Sequence, residues 1–308
     1  VTTLNTKMPN RAERLSRILL SLPPGLYLLL LFAVPSLMML FASFRFSGEY
    51  GGLAPWYYIE DGQFTLDLTL ENWQRLFESD IYLGLLLKSL AYALATTLIC
   101  VIMAYPLALM IARSKKRHRD LLLLLVILPF WSNFLVRIYA WMIIFSPQGA
   151  LTAALNAVTS SLGLEPITLM FSGTAVITCL VYVHLPFMIL PLYANLEKHD
   201  HRLLDAAQDL GANRFQCFWL ITWPLSLPGI YAGAVLVFIP SLGIFAIPDL
   251  LGGTNGIMIG NVIKQQFVES RDWPFGSVLS LVLTAITLVL VLLAAKLGSP
   301  AGENNGKK

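Results

Sequence analysis

The sequence predicts an all-α integral membrane protein with six transmembrane helices, and three observations carry that prediction. Hydrophobic residues make up 56% of the 308 and charged residues 13%. A soluble domain is about 25% charged, so a surface with half that charge would not keep a chain of 34.2 kDa and mean hydropathy +0.69 in solution. Six stretches nearly free of charge each offer the ~20 apolar residues that a helix needs to cross a bilayer. Lys and Arg fall on alternate sides of those stretches. The same composition excludes a disordered chain. It also excludes a nucleic-acid binder, because the net charge is only +3 and is sorted by side rather than gathered into a patch.

The elements follow in chain order. A tail at 1–21 carries Lys7, Arg11, Arg14 and Arg17. The first span lies between Arg17 and Arg45, with its core at Gly25–Phe44. It resembles a secretory signal in its basic flank, but the apolar run is too long and no clear A-x-A site follows, so a retained helix is expected. An outer loop, 45–82, then holds seven acids (Glu49, Glu60, Asp61, Asp67, Glu71, Glu78 and Asp80) against two bases, Arg45 and Arg75. Either this charge draws cations to the mouth, or it reflects only the scarcity of bases on an outer side. Trp56, Tyr57, Tyr58 and Trp73 in that loop are interface anchors or ligand contacts.

The second span lies between Lys88 and Arg113, and a basic loop follows with Arg113, Lys115, Lys116, Arg117 and Arg119. The third starts after Asp120 and runs to about Phe145, interrupted only by Arg137. The fourth occupies Gly173–Tyr193. The fifth lies between Arg214 and Asp249, with Pro224 and Pro228 marking its entrance. In the segment that follows, Gly252–Gly256 is a backbone break, and Ile257–Phe267 forms a helix too short to span, lying at or dipping into the outer face. The sixth span is Trp273–Lys296, before a tail at 298–308. Fifteen of the 21 Lys and Arg fall on one side of this arrangement, which places both termini in the cytoplasm.

Catalytic chemistry is absent from the pattern. There is no HExxH, no GxSxG and no Ser/His/Asp spacing, and the tail GSPAGENNGKK fails as a P-loop because Ala301 and Lys308 stand where Gly and Ser or Thr are needed. Cys100, Cys179 and Cys217 form no CxxC and imply neither a disulfide framework nor a zinc site. His184 falls inside the fourth span, where a helix–helix hydrogen bond is the ordinary role.

The loop at 197–226 is unlike a plain connector. Leu203, Leu204, Ala207 and Leu210 share a helical face. Asp205 and Asp209 are i,i+4 neighbours expected near the N-terminal half of that helix, where its dipole favours acids, and Gly211 fits the stop position. A second short helix is expected to follow, ended by Pro224 and Pro228. Two short helices at an angle would make a knob that a soluble partner can grip; the alternative is an amphipathic helix resting on lipid.

These residues are similar to the EAA loop of bacterial ABC-importer permeases, whose pattern is roughly E-A-A-x3-G-x9-I-x-L-P. Asp205, Ala206, Ala207, Gly211, Ile221 and Pro224 match by type and spacing, with Asp205 in place of Glu and Trp223 in place of Leu. Further blocks resemble permeases of the spermidine/putrescine type: Leu128 to Tyr139, Leu185 to Met188, Ile257 to Ile263 and Arg271 to Pro274. The resemblance implies the ABC type I importer permease fold over 22–297, with the loop at 197–226 docking into a separate ATPase dimer. It implies a second permease subunit, forming a heterodimer, a periplasmic solute-binding protein, the bacterial inner membrane, and no catalytic step or cofactor in this chain. The cargo it implies is a polyamine. Related permeases for other small solutes share these blocks, so another small solute stays open. An ion-driven secondary transporter is the rival from another class, but internal repeats, its usual mark, are not seen.

Ionisable residues inside the membrane are candidates for the solute path. Ser241, Phe245 and Asp249 share a face by i,i+4 spacing, so a descending cation could meet a carboxylate beside a ring; Asp249 is otherwise simply interfacial. Asn133, Arg137 and Trp141 share a face of the third span. Arg137 would repel a polycation if it lined the path, and so pairs with an acid or with backbone carbonyls, as a structural or gating residue; Asp249 is one candidate partner. Trp131 belongs to the same block. In the fourth span Thr174, Thr178, Tyr182 and Tyr193 form a stripe that lines a cavity or bonds helices together. Gly229 and Gly233 make a GxxxG in the fifth span.

Overall fold

The structure, a computed structural model, describes residues 11–60, 63–200 and 202–298. Lys7, Asp61, His201, Lys307, Lys308 and the tail segments at 1–10 and 299–308 lie outside the described residues. Among the described residues, six stretches are long and apolar enough to cross a membrane. The helices are α1 (Arg11–Ser43), α2 (Glu71–Glu78), α3 (Asp80–Arg113), α4 (Lys116–Ile127), α5 (Phe134–Phe145), α6 (Ala150–Ser161) and α7 (Gly173–Leu196). They continue as α8 (Arg202–Asp209), α9 (Arg214–Cys217), α10 (Trp223–Gly243), α11 (Ala246–Leu251), α12 (Ile259–Val268) and α13 (Trp273–Gly298). One element of the 45–82 loop is not helical: β1 (Tyr57–Glu60) pairs antiparallel with β2 (Gln63–Leu66). The intervening sequence Asp61-Gly62 is a strong hairpin signal.

The centre of the bundle is α7. Its N-terminus is capped by Ser172, whose hydroxyl accepts from the Ala175 N–H at 3.1 Å. Its sides are buried against α3 and α10, with Cys179, Leu180, Met188 and Leu192 fully enclosed. Gly229 and Gly233 make this packing possible. A Cβ at Gly233 would fall 2.6 Å from Met188 Sδ and 3.2 Å from Met188 Cα, and one at Gly229 would fall 2.7 Å from Asn195 Cβ. The GxxxG is thus a close backbone crossing of α10 over α7, the device expected where lipid tails give helices no hydrophobic reason to associate. By contrast α1 packs along α13 and is only 6% buried over its apolar window.

The third crossing differs from the single helix expected between Asp120 and Phe145: the stretch long and apolar enough to cross is Phe134–Ser161, and the chain before it is broken. α4 ends at Ile127, a 3-10 turn spans Leu128–Trp131, and α5 begins after Asn133, whose side chain accepts from the Leu135 N–H at 2.8 Å. Pro129 lacks the N–H a continuous helix would use, and Asn133 is a strong starter. The pieces still run along α7 in antiparallel order: Arg119 pairs with Glu197, Phe130 meets Phe187, Trp141 meets Tyr182, and Phe145 joins the buried cluster that holds Val176. A turn at 146–149 then leads to α6. A side chain at Gly149 would strike the Ile144 carbonyl oxygen, so glycine is needed there.

The fifth span differs at both ends. Pro224 and Pro228 do not close the second helix of the loop. α9, a π turn at Phe218–Thr222 and α10 run on without a break, and Pro224 sits in the first turn of α10. The Trp223 N–H bonds the Phe218 carbonyl across this wide turn, and the widening accommodates the proline that would otherwise clash with the preceding turn. At the other end α10 stops at Gly243, and Ile244 is extended. Ser241 and Asp249 therefore lie on different helices, and the expected i,i+4 face through Phe245 does not form. Gly260 of α12 occupies the gap, where a Cβ would fall 2.7 Å from the Gly243 carbonyl oxygen.

Gly233→Leu is expected to force α10 off α7, at a cost of about 1–3 kcal/mol for overpacking. A lowered melting temperature of the purified protein checks this. Gly25→Leu, where a Cβ meets nothing within 4 Å, should not lower it.

Candidate functional site

The loop at 197–226 stands at the end of the bundle where α3 and α7 finish. Two bonds fasten its base: Arg119 pairs with Glu197, and His199 Nε2 lies 3.1 Å from the Leu225 carbonyl oxygen. In α8 and the residue after it, the apolar residues split. Leu204 and Ala207 turn partly inward, whereas Leu203 is exposed and Leu210 is 89% exposed. Asp205, Ala206 and Asp209 are also exposed, and Asp209 is the last residue of α8 rather than near its start. Gly211 ends the helix at φ +85°, in the left-handed region that suits glycine. Asn213 and Gln216 then form a reciprocal cap, each side chain accepting from the other's backbone N–H at 2.8 Å. Ile221 is half-buried and Pro224 exposed. Behind α8 lies a cavity of about 440 Å³, lined by Leu109, Arg113, Leu204, Asp205, Gln208 and Arg214 among others. The result is a two-helix handle at the end of the bundle with exposed acids and a bare Leu210. Its second helix is continuous with α10.

Midway along the bundle, Arg137 and Trp141 of α5 and Tyr182 of α7 gather on one surface. Trp141 and Tyr182 meet edge to face with centroids 5.4 Å apart. The Arg137 guanidinium sits 5.4 Å from the Phe130 ring and 5.8 Å from the Phe134 ring, contacts worth about 0.5–1 kcal/mol each when exposed. Its Nε is buried without a hydrogen-bond partner among the described residues. Trp131 does not join this cluster's packing and is 76% exposed. On α7, Thr174 and Thr178 are exposed, Tyr182 and Tyr193 half-buried, and Thr178 Oγ1 donates to the Thr174 carbonyl.

The other candidates are engaged elsewhere. Ser241 is fully buried, donates to the Val237 carbonyl at 2.7 Å and lies 3.4 Å from His184 Nδ1. That contact is the α7–α10 bond expected of His184. Phe245 is exposed, and its carbonyl accepts from Asn261 Nδ2 at 3.0 Å. Asp249 does not pair with Arg137. Its carboxylate accepts from Asn261 Nδ2 and from Lys264 Nζ, the latter at 2.9 Å, which joins α11 to α12. The neighbouring Asp249 carboxylate holds the Lys264 ammonium above its ordinary range. Other bases at this end are also pinned: Arg75 pairs with Asp272 at 2.8 Å, and Lys88 donates to the Asn255 carbonyl.

Sequence reasoning passed over Asn261, Lys264 and Tyr105. Asn261 and Lys264 fall three residues apart on one short helix, which was a signal that they could act together on one carboxylate. Tyr105, whose hydroxyl lies 3.1 Å from Ser226 Oγ, carried no signal beyond being a tyrosine inside a span.

A family profile described as "Binding-protein-dependent transport system inner membrane component" matches residues 104–297. The spermidine/putrescine transport system permease protein PotB of Haemophilus influenzae is 44% identical over 232 residues, 75% of this chain and 79% of that protein. PotB of Escherichia coli is 46% identical over 227 residues, covering 73% and 81%. The inner membrane ABC transporter permease protein YdcU of Escherichia coli is 33% identical over 294 residues, covering 90% and 91%. Among solved structures, a bacterial ABC transporter that imports alginate superposes with a TM-score of 0.68 at 19% identity, over 92% of this chain and 96% of that one.

The Asp249–Lys264 joint sets a pH dependence. Because folding raises the lysine's pKa, its contribution is fully present below the ordinary value of 10.5 and is lost as pH rises through the raised one. The stability difference between the wild type and Lys264→Met should therefore be constant at neutral and mildly alkaline pH and vanish beyond that range. Thermal unfolding across alkaline pH measures it.

Proposed function

The chain belongs to the binding-protein-dependent transport system inner membrane components, and on that premise we propose that it is the permease subunit of an ATP-driven importer that carries polyamines into the cytoplasm. The observation that carries the cargo class is the identity to permeases named for spermidine and putrescine, 44% and 46% over roughly three quarters of this chain. The alginate importer supports the fold alone.

In this reading the Lys- and Arg-rich end faces the cytoplasm, with both termini. The handle at 197–226 docks into one member of an ATPase dimer through Asp205, Ala206, Ala207 and Gly211, while Ile221 and Pro224 seat its second helix. A second, non-identical permease subunit completes the path, and a periplasmic solute-binding protein delivers cargo at the acidic end. The chain makes and breaks no covalent bond. Nucleotide binding closes the ATPases, the handle moves with them, and the unbroken helix from Arg214 to Gly243 carries that motion into the bundle. The equilibrium between inward- and outward-open states shifts by the difference in ATPase affinity for the two.

The path runs over the surface of Arg137, Trp141 and Tyr182, with Trp131 at its margin. Ring faces attract an ammonium stripped of water. Arg137, held between Phe130 and Phe134, is a like charge that keeps a polycation from resting there and so acts as a gate. At the mouth, Phe245 lies exposed beside the Asp249 helix while Ser241 stiffens the wall behind. An arriving ammonium competes with Lys264 for the Asp249 carboxylate.

Gly211 offers a clean test of docking. A Cβ there meets nothing within 4 Å inside the chain, so the internal cost of Gly211→Asn or Gly211→Leu is about 1 kcal/mol for the left-handed backbone. Gly211→Leu is expected to uncouple ATP hydrolysis from uptake in the reconstituted complex, with membrane insertion intact and Gly211→Asn milder. Unchanged uptake per ATP in Gly211→Leu would remove the docking role. Asp249→Asn should raise the polyamine concentration for half-maximal uptake about tenfold, the loss of one charge-assisted contact; an unchanged value would make Asp249 purely a joint.

A further inference from the structure

We infer that four aromatic side chains, Phe215, Trp219, Trp223 and Tyr105, form a rigid strut that carries motion of the handle into α3, making Trp223 and Tyr105 positioning residues for energy coupling. The inference rests on reading the handle as the ATPase contact. It adds a second route of transmission, to a helix that is not continuous with the handle.

The strut begins at the surface and ends in the core. Phe215 is 71% exposed, Trp219 is 47% exposed, Trp223 is half-buried and Tyr105 is 7% exposed. Ring centroids lie 6.2 Å apart from Phe215 to Trp219, 5.5 Å from Trp219 to Trp223 and 5.3 Å from Trp223 to Tyr105. These are the separations of aromatic rings in direct contact. Phe218 braces the series from the side, 5.3 Å from Trp219 and 5.5 Å edge-on from Tyr105. The far end is pinned by the bond between Tyr105 Oη and the buried Ser226 Oγ, which ties α3 to α10 at that level. Aromatic side chains have few rotatable bonds, so such a series transmits displacement with little give.

Empty space makes this route matter. The cavity of about 440 Å³ separates α8 from the last turns of α3, with Leu204 and Asp205 on one side and Leu109 and Arg113 on the other. A push on α8 does not cross that gap by direct packing. The handle's own chain leads to α10. The rings are a packed connection from the exposed handle to α3, and they reach it next to Pro106, where the helix has no N–H to donate and bends most easily. Trp223 is also the position where this chain departs from the Leu of the EAA pattern, and the larger ring is what reaches Tyr105.

The test uses the full complex in vesicles, with ATPase, second permease and binding protein, and counts ATP hydrolysed per putrescine imported. Trp223→Leu and Tyr105→Leu are expected to raise that ratio about fivefold or more, the scale of a coupling between distant sites. Trp223→Phe, which keeps a ring, should stay near the wild type, and Tyr105→Phe, which keeps the ring but loses the bond to Ser226, should raise the ratio less than Tyr105→Leu; a purely structural role would instead lower assembly without moving the ratio. An unchanged ratio in both Leu variants overturns the strut. If Gly211→Leu uncouples while the two Leu variants do not, only the strut fails; if Gly211→Leu also leaves the ratio unchanged, the docking role fails and the strut falls with it. A second measurement needs no ring variant. Spin labels at the exposed positions Leu220 and Met103 of an otherwise intact complex should keep their separation within about 2 Å, the size of an ordinary helix shift, with and without nucleotide. A larger change means that handle and α3 move independently, and it overturns the proposal.

Discussion

The contact of Gly229 and Gly233 with the backbone of α7 is the constraint around which the other helices are arranged. With α10 lying that close, Ser241 comes within reach of His184, and Tyr105 of α3 comes within reach of Ser226. Hydrocarbon offers backbone groups no partner, so irregular chain survives only where protein supplies one. The breaks in this bundle obey that rule: Asn133 caps the restart of the third crossing, and Asn261 serves the Phe245 carbonyl just past the end of α10.

Much of the architecture was legible in the sequence, because span length and charge sidedness are set by the bilayer rather than by packing detail. The six crossings, the short helix after the fifth, the Gly211 stop and the GxxxG crossing all follow from local residue type. The elements that escaped depend on partners far along the chain. Nothing near Pro224 says that a π turn will absorb it, so the helix looked ended where it continues. Near Asp249, Gly243 and Pro248 are local signals of a break, but that α10 stops at Gly243 also depends on Gly260 of a later helix filling that gap. Likewise Arg137 was legible as an anomaly. That two phenyl rings, and not Asp249, hold it required knowing how the 3-10 turn presents Phe130.

The candidate sites divide the same way. The handle's residues follow one another closely, so their pattern survives in one dimension. The Arg137, Trp141 and Tyr182 surface is assembled from two helices, and only the block around Arg137 announced itself. Between them, the unbroken helix from Arg214 and the rings from Phe215 to Tyr105 join one end of the molecule to its middle.

One further consequence follows from the bareness of α1. Its apolar stretch, Leu19–Ser43, has 25 residues and so measures about 37 Å, against ~30 Å of hydrocarbon. A helix longer than the oil it sits in leans, or thickens the oil around it. Among the described residues α13 is the main helix alongside it, so acyl-chain length has more influence on the lean than it has on the buried helices. Membrane composition thereby gains a mechanical hold on the subunit, exerted through its most loosely attached rod.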